Sequence, residues 1–407
     1  MRFAHLADCH IGSWREPKLR NASIDSFIKI MDMCIDKNVD FILISGDLFN
    51  TSLPAVDHLK DAVEKLKELK DKNIPVYIIA GSHDFSPSGK TMLEVLEKAG
   101  LFVNVVKYEE IGEEIKLNFT VDKKTGVKIA GMIGKKGGLE REHYKNLIKE
   151  NLEQEDGYKI FMFHSALEEF KPSDLKEMEG HPLSFLPKGF NYYAGGHVHY
   201  VFEKEEPGYG LIAFPGPSFP NNFKELEKLG RGGFYIVDVE DGRTKVEFEP
   251  IQIHNVFMIN VNAGNKTAEE IEQEILLQVE KKEFNNTIIT IRVEGKLGSG
   301  KPSDINFKSI FEQLYNKSAY FVMKNTNKLT GEEFEKIKVE KDSADEIENS
   351  LIKEHLGQIK VEGFDSVKEE ELTKELIKVL DIEKQEGERV VDFEQRIKEN
   401  VEKIIGL

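Results

Sequence analysis

Residues 40–54 read DFILISGDLFNTSLP, and the fold turns on this stretch. Phe41, Ile42, Leu43 and Ile44 follow one another with no polar break, and then come Ser45, Gly46 and Asp47. A half-exposed strand alternates apolar and polar residues, whereas a strand covered on both faces is apolar throughout. Asp40–Asp47 is therefore predicted to be an inner strand with helices over it. Gly46 permits a sharp turn where the strand stops. The carboxylate of Asp47 follows at the end where open α/β sheets collect their ligands.

The same grammar extends to both sides. Phe3–Asp8 and Pro75–Gly81 read as further strands, with amphipathic helices at Ser23–Lys37 and Pro54–Lys72 between them. Later strand candidates are Val127–Gly134, Tyr158–Ser165, Tyr192–Gly195, Leu211–Phe214, Gly233–Val239 and Val246–Ile251. Short turns join many of these, so the sheet is expected to become antiparallel in its second half. The predicted fold class is α/β, two packed sheets with outer helices. The pattern then restarts as strand Val256–Val261, helix Ala268–Lys281, strand Ile288–Val293, helix Phe307–Tyr315 and strand Tyr320–Lys324. Beyond Asn325 the chain reads as charged and helical, without a strand. Leu372, Leu376, Ile377 and Leu380 form one apolar stripe there, and Val390, Phe393, Ile397, Val401, Ile404 and Ile405 another. The expected domains are 1–252, 253–325 and 326–407.

With 407 residues, 40% of them hydrophobic and 32% charged, the chain suits a soluble protein of two or three domains. No apolar run reaches the ~18 residues of a membrane span. The strand-like start from Phe3 to Ala7 predicts no secretory signal. Two cysteines, Cys9 and Cys34, make no disulfide framework and point to a reducing cytoplasm. The net charge of −17 looks awkward for a partner rich in phosphate. Residues 331–407 account for −10 of it, with 23 acidic against 13 basic side chains, leaving −7 for the rest. That distribution argues against a stand-alone, non-specific DNA binder, but not against metal-dependent chemistry on phosphate.

Five short clusters sit at predicted strand ends: Asp8-Cys9-His10, Gly46-Asp47, Gly81-Ser82-His83-Asp84, His164, and Gly195-Gly196-His197-Val198-His199. Residues two apart on an extended strand face one side, so Asp8 and His10 can share a site, as can His197 and His199. Each cluster alone has a bland reading, a polar turn or a hydrogen-bonded structural histidine. Together they hold five of the eleven histidines, in one order. Mixed carboxylate and imidazole ligands suit manganese, iron or zinc better than calcium. Two such ions ~3.5–4 Å apart would activate water and polarise a phosphoryl oxygen together.

These clusters resemble the motif series of the calcineurin-like metallophosphoesterase superfamily. DFILISGDLFNTSLP, NYYAGGHVHYVFEKE (191–205) and LIAFPGPSFPNNF (211–223) resemble, more narrowly, the SbcD / meiotic-recombination-eleven family of double-strand-break nucleases. The likeness covers the first ~240 residues well. It implies a two-sheet metallophosphoesterase sandwich flanked by helices, with 253–325 as a small α/β capping domain. The helical C-terminal tail, 326–407, would dock an SMC-like ABC ATPase. It also implies DNA as substrate, a homodimer, and two manganese ions. Asp8, His10, Asp47 and His199 would hold one ion; Asp47, His164 and His197 the other, with Asp47 as the bridge. His83 would stand near the scissile phosphate as the catalytic residue, with water as nucleophile.

Two departures stand out. The family's asparagine ligand is Ser82 here, a shorter donor that weakens the second site. A histidine that favours exonuclease action in many members is Asn50 here. Both point to a shift toward endonuclease action or to modest total activity. Arg15, Lys18 and Arg20, with Trp14 nearby, and Lys135 and Lys136 in a glycine-rich turn are candidate DNA-backbone contacts; each reads equally as a solvated loop position. The competing functions are a metallophosphoesterase for small phosphodiesters or phosphoproteins, and a weakly catalytic scaffold that binds DNA and the ATPase. The tail stripes have their own alternative, packing on their own domain or on each other.

Overall fold

Every residue from Phe41 to Ser45 is buried in the computed structural model, which describes residues 1–86, 91–135, 139–331, 366–382 and 390–405. The two faces of this strand meet different partners. Phe41 and Leu43 pack with Phe3, Ile79, Ile160, Met162 and Tyr192, between two sheets. Ile42 and Ile44 pack with Phe27, Ile30, Met31 and Leu66, under two helices. Burial on both faces is what the unbroken apolar run demanded. The helices are Pro17–Asp36 and Val56–Asp71. The first begins six residues before its expected start, because Pro17, with its fixed φ, opens it.

Close contacts divide the chain into two compact units. The first comprises Met1–Val261, Ile275–Arg292 and Phe307–Asn325. Its core is two six-stranded sheets. In one, Arg2–Leu6, Phe41–Ser45, Val76–Ile79 and Val103–Asn104 run parallel, and Gly232–Glu240 and Arg243–Ile251 extend it antiparallel. In the other, Lys128–Gly131, Lys159–His164, Tyr192–Gly196 and Gly210–Phe214 run parallel. Only its edges, Thr120–Val121 and Phe202–Glu206, are antiparallel.

The expected antiparallel second half holds for Gly232–Glu240 and Arg243–Ile251 and is corrected for the second sheet, whose inner strands are parallel. The strand KIFMFH of residues 159–164 is buried throughout. Ile160 and Met162 face the sandwich, while Phe161 and Phe163 face an outer cluster with Tyr144, Leu186 and Phe190. A strand covered on both sides belongs in a parallel layer. Short turns set the antiparallel pairing of Phe202–Glu206 with Gly210–Phe214 and of Gly232–Glu240 with Arg243–Ile251. A three-stranded sheet of Tyr108–Ile111, Glu114–Leu117 and Leu147–Ile148 has no counterpart in the expected list of elements.

In the first unit, Thr287–Arg292 pairs with Ala319–Asn325, and the helix Phe307–Asn316 packs on that strand. In the second unit, Gly295 and Lys296 pair with Leu329–Thr330, a short strand in a stretch expected to have none. Ser366–Leu380 and Val390–Ile405 are helices there and pack on each other. Among the described side chains of the two stripes, none is fully buried, and Leu380 is 62% exposed. No helix among the described residues is long and apolar enough to cross a membrane.

Candidate metal centre

The five clusters all follow strand ends, but the backbone reaches the site by an unexpected route. The first strand stops at Leu6 and the one before His197 at Gly196. Asp8, His10, Asp47 and His197 then take φ values of +52°, +42°, +53° and +89°. The left-handed region is costly for residues with a Cβ, so four polar residues held there mark a constrained site. Alternation along an extended strand is therefore not what brings Asp8 and His10 together. Cross-loop hydrogen bonds do: Asp8 N–H donates to Gly46 O (3.1 Å) and His10 N–H to Asp47 O (2.9 Å). His197 N–H donates to both oxygens of Asp8, at 3.0 and 3.1 Å.

Two glycines are needed for this approach. A Cβ on Gly46 would lie 2.2 Å from His164 Nδ1, and one on Gly196 would lie 2.0 Å from Ser45 O. With those contacts open, the His164 ring lies between the loops, its Nδ1 2.8 Å from Ser45 O and its Nε2 3.2 Å from Asp47 Oδ2. Ser45 is also tied to a buried polar chain, Ser45 Oγ to His5 Nε2 (3.0 Å) and His5 Nδ1 to Tyr192 Oη (2.8 Å). Burial lowers the His5 ring to about 3, so it stays neutral beneath the site.

Three overlapping sets could hold a cation, each with ligand atoms within 4.8 Å of one another: Asp8, His10 and His199; Asp8, Asp47 and His164; and His10, Asp47 and His83. His10 Nε2 and His199 Nε2 are 3.2 Å apart, and His199 Nε2 is 3.8 Å from Asp8 Oδ1. His197 stands beside these sets, its ring 5.2 Å from that of His164. Ser82 is turned toward Asp47, with Oγ 3.5 Å from Oδ2. His83 donates its backbone N–H to Asp47 Oδ1 (2.7 Å), and its Nδ1 lies 2.9 Å from Asn50 O. That contact leaves Nε2 as the working nitrogen of the ring.

The donor set fits a metal on two grounds. His10 Nδ1 is buried with no hydrogen-bond partner, an expensive condition for a polar atom, and buried His164 Nε2 has only the Asp47 carboxylate beside it, at 3.2 Å. Charge draws a cation to the centre through Asp47, and burial keeps His197 and His10 neutral, whereas at His164 the Asp47 carboxylate outweighs burial and raises the ring to about 10. Burial disfavours the charged form of Asp47, yet His164 and His10 beside it hold its carboxyl far below the usual range. Burial, with the charge of His164, lowers His197 to about 4, and burial lowers His10 well below its ordinary value. Burial works against protonating His199, but the Glu225 carboxylate outweighs it and lifts the ring to about 8.

A family model of the calcineurin-like phosphoesterases matches residues 1–201. A DNA double-strand break repair protein Mre11 from Methanococcus maripaludis is 30% identical over 303 residues, 69% of this chain and 76% of that one. The chain belongs to the Mre11 family. The Mre11 of Methanopyrus kandleri is 29% identical, over 68% of this chain and 62% of its own length. The Mre11 of Sulfurisphaera tokodaii is 28% identical over 99% of this chain and 96% of its own. Membership in the Mre11 family makes the protein a metal-dependent phosphodiesterase with the fold of that superfamily.

Sequence reasoning placed Asp84 in a cluster without giving it a role, and it missed Glu225; both carboxylates build this Mre11-family centre. Asp84 accepts from the backbone N–H groups of Leu48, Phe49 and Gly81 (3.1–3.2 Å), clamping the Asp47 loop to the Ser82 loop. Burial, with the charge of Asp47, raises it to about 7. Glu225, on the helix Phe223–Leu229, sets Oε1 2.9 Å from His199 Nδ1. A carboxylate on Nδ1 fixes the tautomer and frees Nε2 for a metal. Its signal was local: Asn222 caps the helix by accepting from Glu225 N–H, which fixes the acid in the first turn.

A cavity of about 380 Å³ opens over the centre, lined by His10, Asp47, Ser82, His83, His197 and His199 among others. It adjoins a second cavity of about 910 Å³ through Ser82, His83, Met178 and His197, and that one carries Lys135, Arg141, Lys171 and Lys176. Of the candidate DNA contacts, Arg20 donates to Trp14 O and Arg15 O, and Lys18 to Tyr320 O. Arg15 is exposed. Lys135 N–H donates to Glu140, and its Nζ lies 3.2 Å from His143 Nε2. Lys136 lies outside the described residues.

Proposed function

We propose that the protein is a manganese-dependent DNA nuclease of double-strand-break repair. The observation that carries this reading is the convergence of Asp8, His10, Asp47, His164 and His199 in overlapping ligand sets beneath an open cavity. Asp8, His10, Asp47 and His199 would hold one cation; Asp47, His164 and His197 the second, with Ser82 at its edge. The ions would activate water and offset phosphate charge. His83, pinned through Nδ1, holds or passes a proton at Nε2 beside the leaving oxygen. The adjoining cavity carries Glu140, Glu168 and Glu179 beside its four basic side chains, with Lys171 paired to Glu168, which leaves Lys135, Arg141 and Lys176 for a nucleic-acid backbone. Residues 253–325 serve as the capping domain.

The paired tail helices retain half-exposed apolar side chains, which supports docking of an SMC-like ABC ATPase. Homodimerisation belongs to the same reading. Two buried, unpaired cysteines suit a reducing cytoplasm. Nicking of circular single-stranded DNA in manganese tests the nuclease. If small phosphodiesters alone were cleaved, the small-ester reading would replace it. If nothing were cleaved while the ATPase still bound, the scaffold reading would, and Ser82 and Asn50 favour that alternative.

Two outcomes follow from the site residues. Ser82→Asn combined with Asn50→His is expected to raise manganese-dependent cleavage several-fold, and an unchanged rate would remove the proposed cost of these departures. His199 must lose its proton before Nε2 can ligate. Because Glu225 holds that proton up to about 8, and Asp47 holds the proton of His164 up to about 10, manganese affinity should fall as pH drops through this range. A titration of affinity that is flat from pH 6 to 9 would contradict this.

A further inference from the structure

The helix Phe223–Leu229 is held from two directions. On one, Glu225 fixes His199. On the other, Arg292 grips Glu227 in a bidentate pair, Nε at 3.0 Å from both carboxylate oxygens and Nη2 at 2.5 Å from Oε2. The Arg292 guanidinium also lies over the Phe223 ring, 5.1 Å from its centre. Leu226, between the two acids, is fully buried with Ile288, Leu19 and Ala22. Ile288 and Arg292 belong to the strand Thr287–Lys296, which supplies nothing to the ligand sets.

The loop entering the helix has its own ties: Trp14 Nε1 donates to Pro220 O (2.9 Å) and Ser13 Oγ to Asn221 Oδ1 (3.1 Å). These bind it to the segment that follows Asp8 and His10. The helix is a rigid link with a metal-ligand anchor on one side chain and a fork-shaped ion pair two residues on. It is short, so rotation at Glu227 moves Glu225 with it.

We propose that Arg292 is a positioning residue for the metal centre: by holding Glu227 it sets the helix that aims Glu225 at His199. This rests on the metal-centre reading above and adds to it a link from the strand Thr287–Lys296. The guanidinium suits the task because its planar fork fixes angle as well as distance, which a lysine would not.

The test is manganese affinity of the full chain, followed by the spectroscopic signal of free Mn2+, with thermal unfolding measured without metal. Arg292→Ala is expected to weaken binding about tenfold, the lower end of what loss of a ligand-orienting partner costs. The exchange R292E with E227R is expected to recover most of the loss. Since Arg292 acts through Glu225, R292A added to E225Q should weaken binding no further than E225Q alone. Affinity within twofold of wild type in R292A, or losses from R292A and E225Q that multiply, would overturn the proposal. If R292A does not fold, Arg292→Lys decides: a folded R292K that binds manganese several-fold more weakly supports the link, because a lysine cannot form the fork, and one within twofold of wild type overturns it. Wild-type protein that binds no manganese would remove the metal centre and this inference together; normal wild-type binding with an unaffected R292A removes only the inference.

Discussion

Asp47→Ala is expected to abolish nicking of circular single-stranded DNA in manganese, by about a thousandfold or more, while leaving a folded chain. Asp47 has several roles at once. Its Oδ2 faces His164 Nε2 at 3.2 Å and His10 Nε2 at 3.6 Å, and its Oδ1 accepts from His83 N–H. It belongs to two of the three ligand sets. Two dications held close together repel, and a shared carboxylate is the least costly way to offset that. Folding survives because the strand beneath is carried by Phe41, Leu43, Ile42 and Ile44, which the substitution does not touch. Removing the carboxylate relieves the buried Asp84 of a neighbouring like charge but leaves His164 and the His83 N–H without their acceptor, so a lower unfolding temperature should accompany the loss of activity. Residual cleavage above about a tenth of wild type would show that another residue holds the ions together.

Gly196→Ala is expected to have the largest effect on the fold itself. The added Cβ would lie 2.0 Å from Ser45 O, 2.8 Å from His164 Nδ1 and 3.1 Å from the Ala7 Cβ. The first of these is backbone in a strand buried at every residue, which has no room to retreat. Overpacking of this kind costs about 1–3 kcal/mol in ordinary cores and more where the obstacle is main chain. Adding the displacement of His164, a loss of about 3 kcal/mol or more and a clearly lower unfolding temperature are expected. Thermal unfolding of metal-free protein measures this without reference to activity. A Gly196→Ala chain as stable as wild type would mean that the two sheets do not approach as closely as described.

The sequence was most legible where one residue's chemistry fixes its surroundings. An unbroken apolar run such as Phe41–Ile44 has only one comfortable place, inside a covered sheet, and glycine-flanked carboxylates and imidazoles mark its end. Strand direction was less legible. Whether Lys159–His164 pairs parallel or antiparallel with Tyr192–Gly196 depends on partners far along the chain, and short turns nearby pointed the other way. The left-handed backbone of Asp8, His10, Asp47 and His197 was also hidden, since nothing in a single non-glycine residue announces it. Glu225 was hidden for a different reason. In the run NNFKELEK, residues 221–228, it looks like any first-turn acid of a short helix, and only the folded chain brings it to His199, 26 residues earlier. The tail stripes were visible as amphipathic helices, while their packing on each other was one of the open readings.

The central claim is that Asp47 joins two cation sites. Anomalous diffraction from crystals soaked in manganese tests it most directly. Two peaks are expected, one beside Asp8, His10 and His199 and one beside His164 and His197, with Asp47 touching both. A single peak, or two peaks with Asp47 bound to neither, would contradict it.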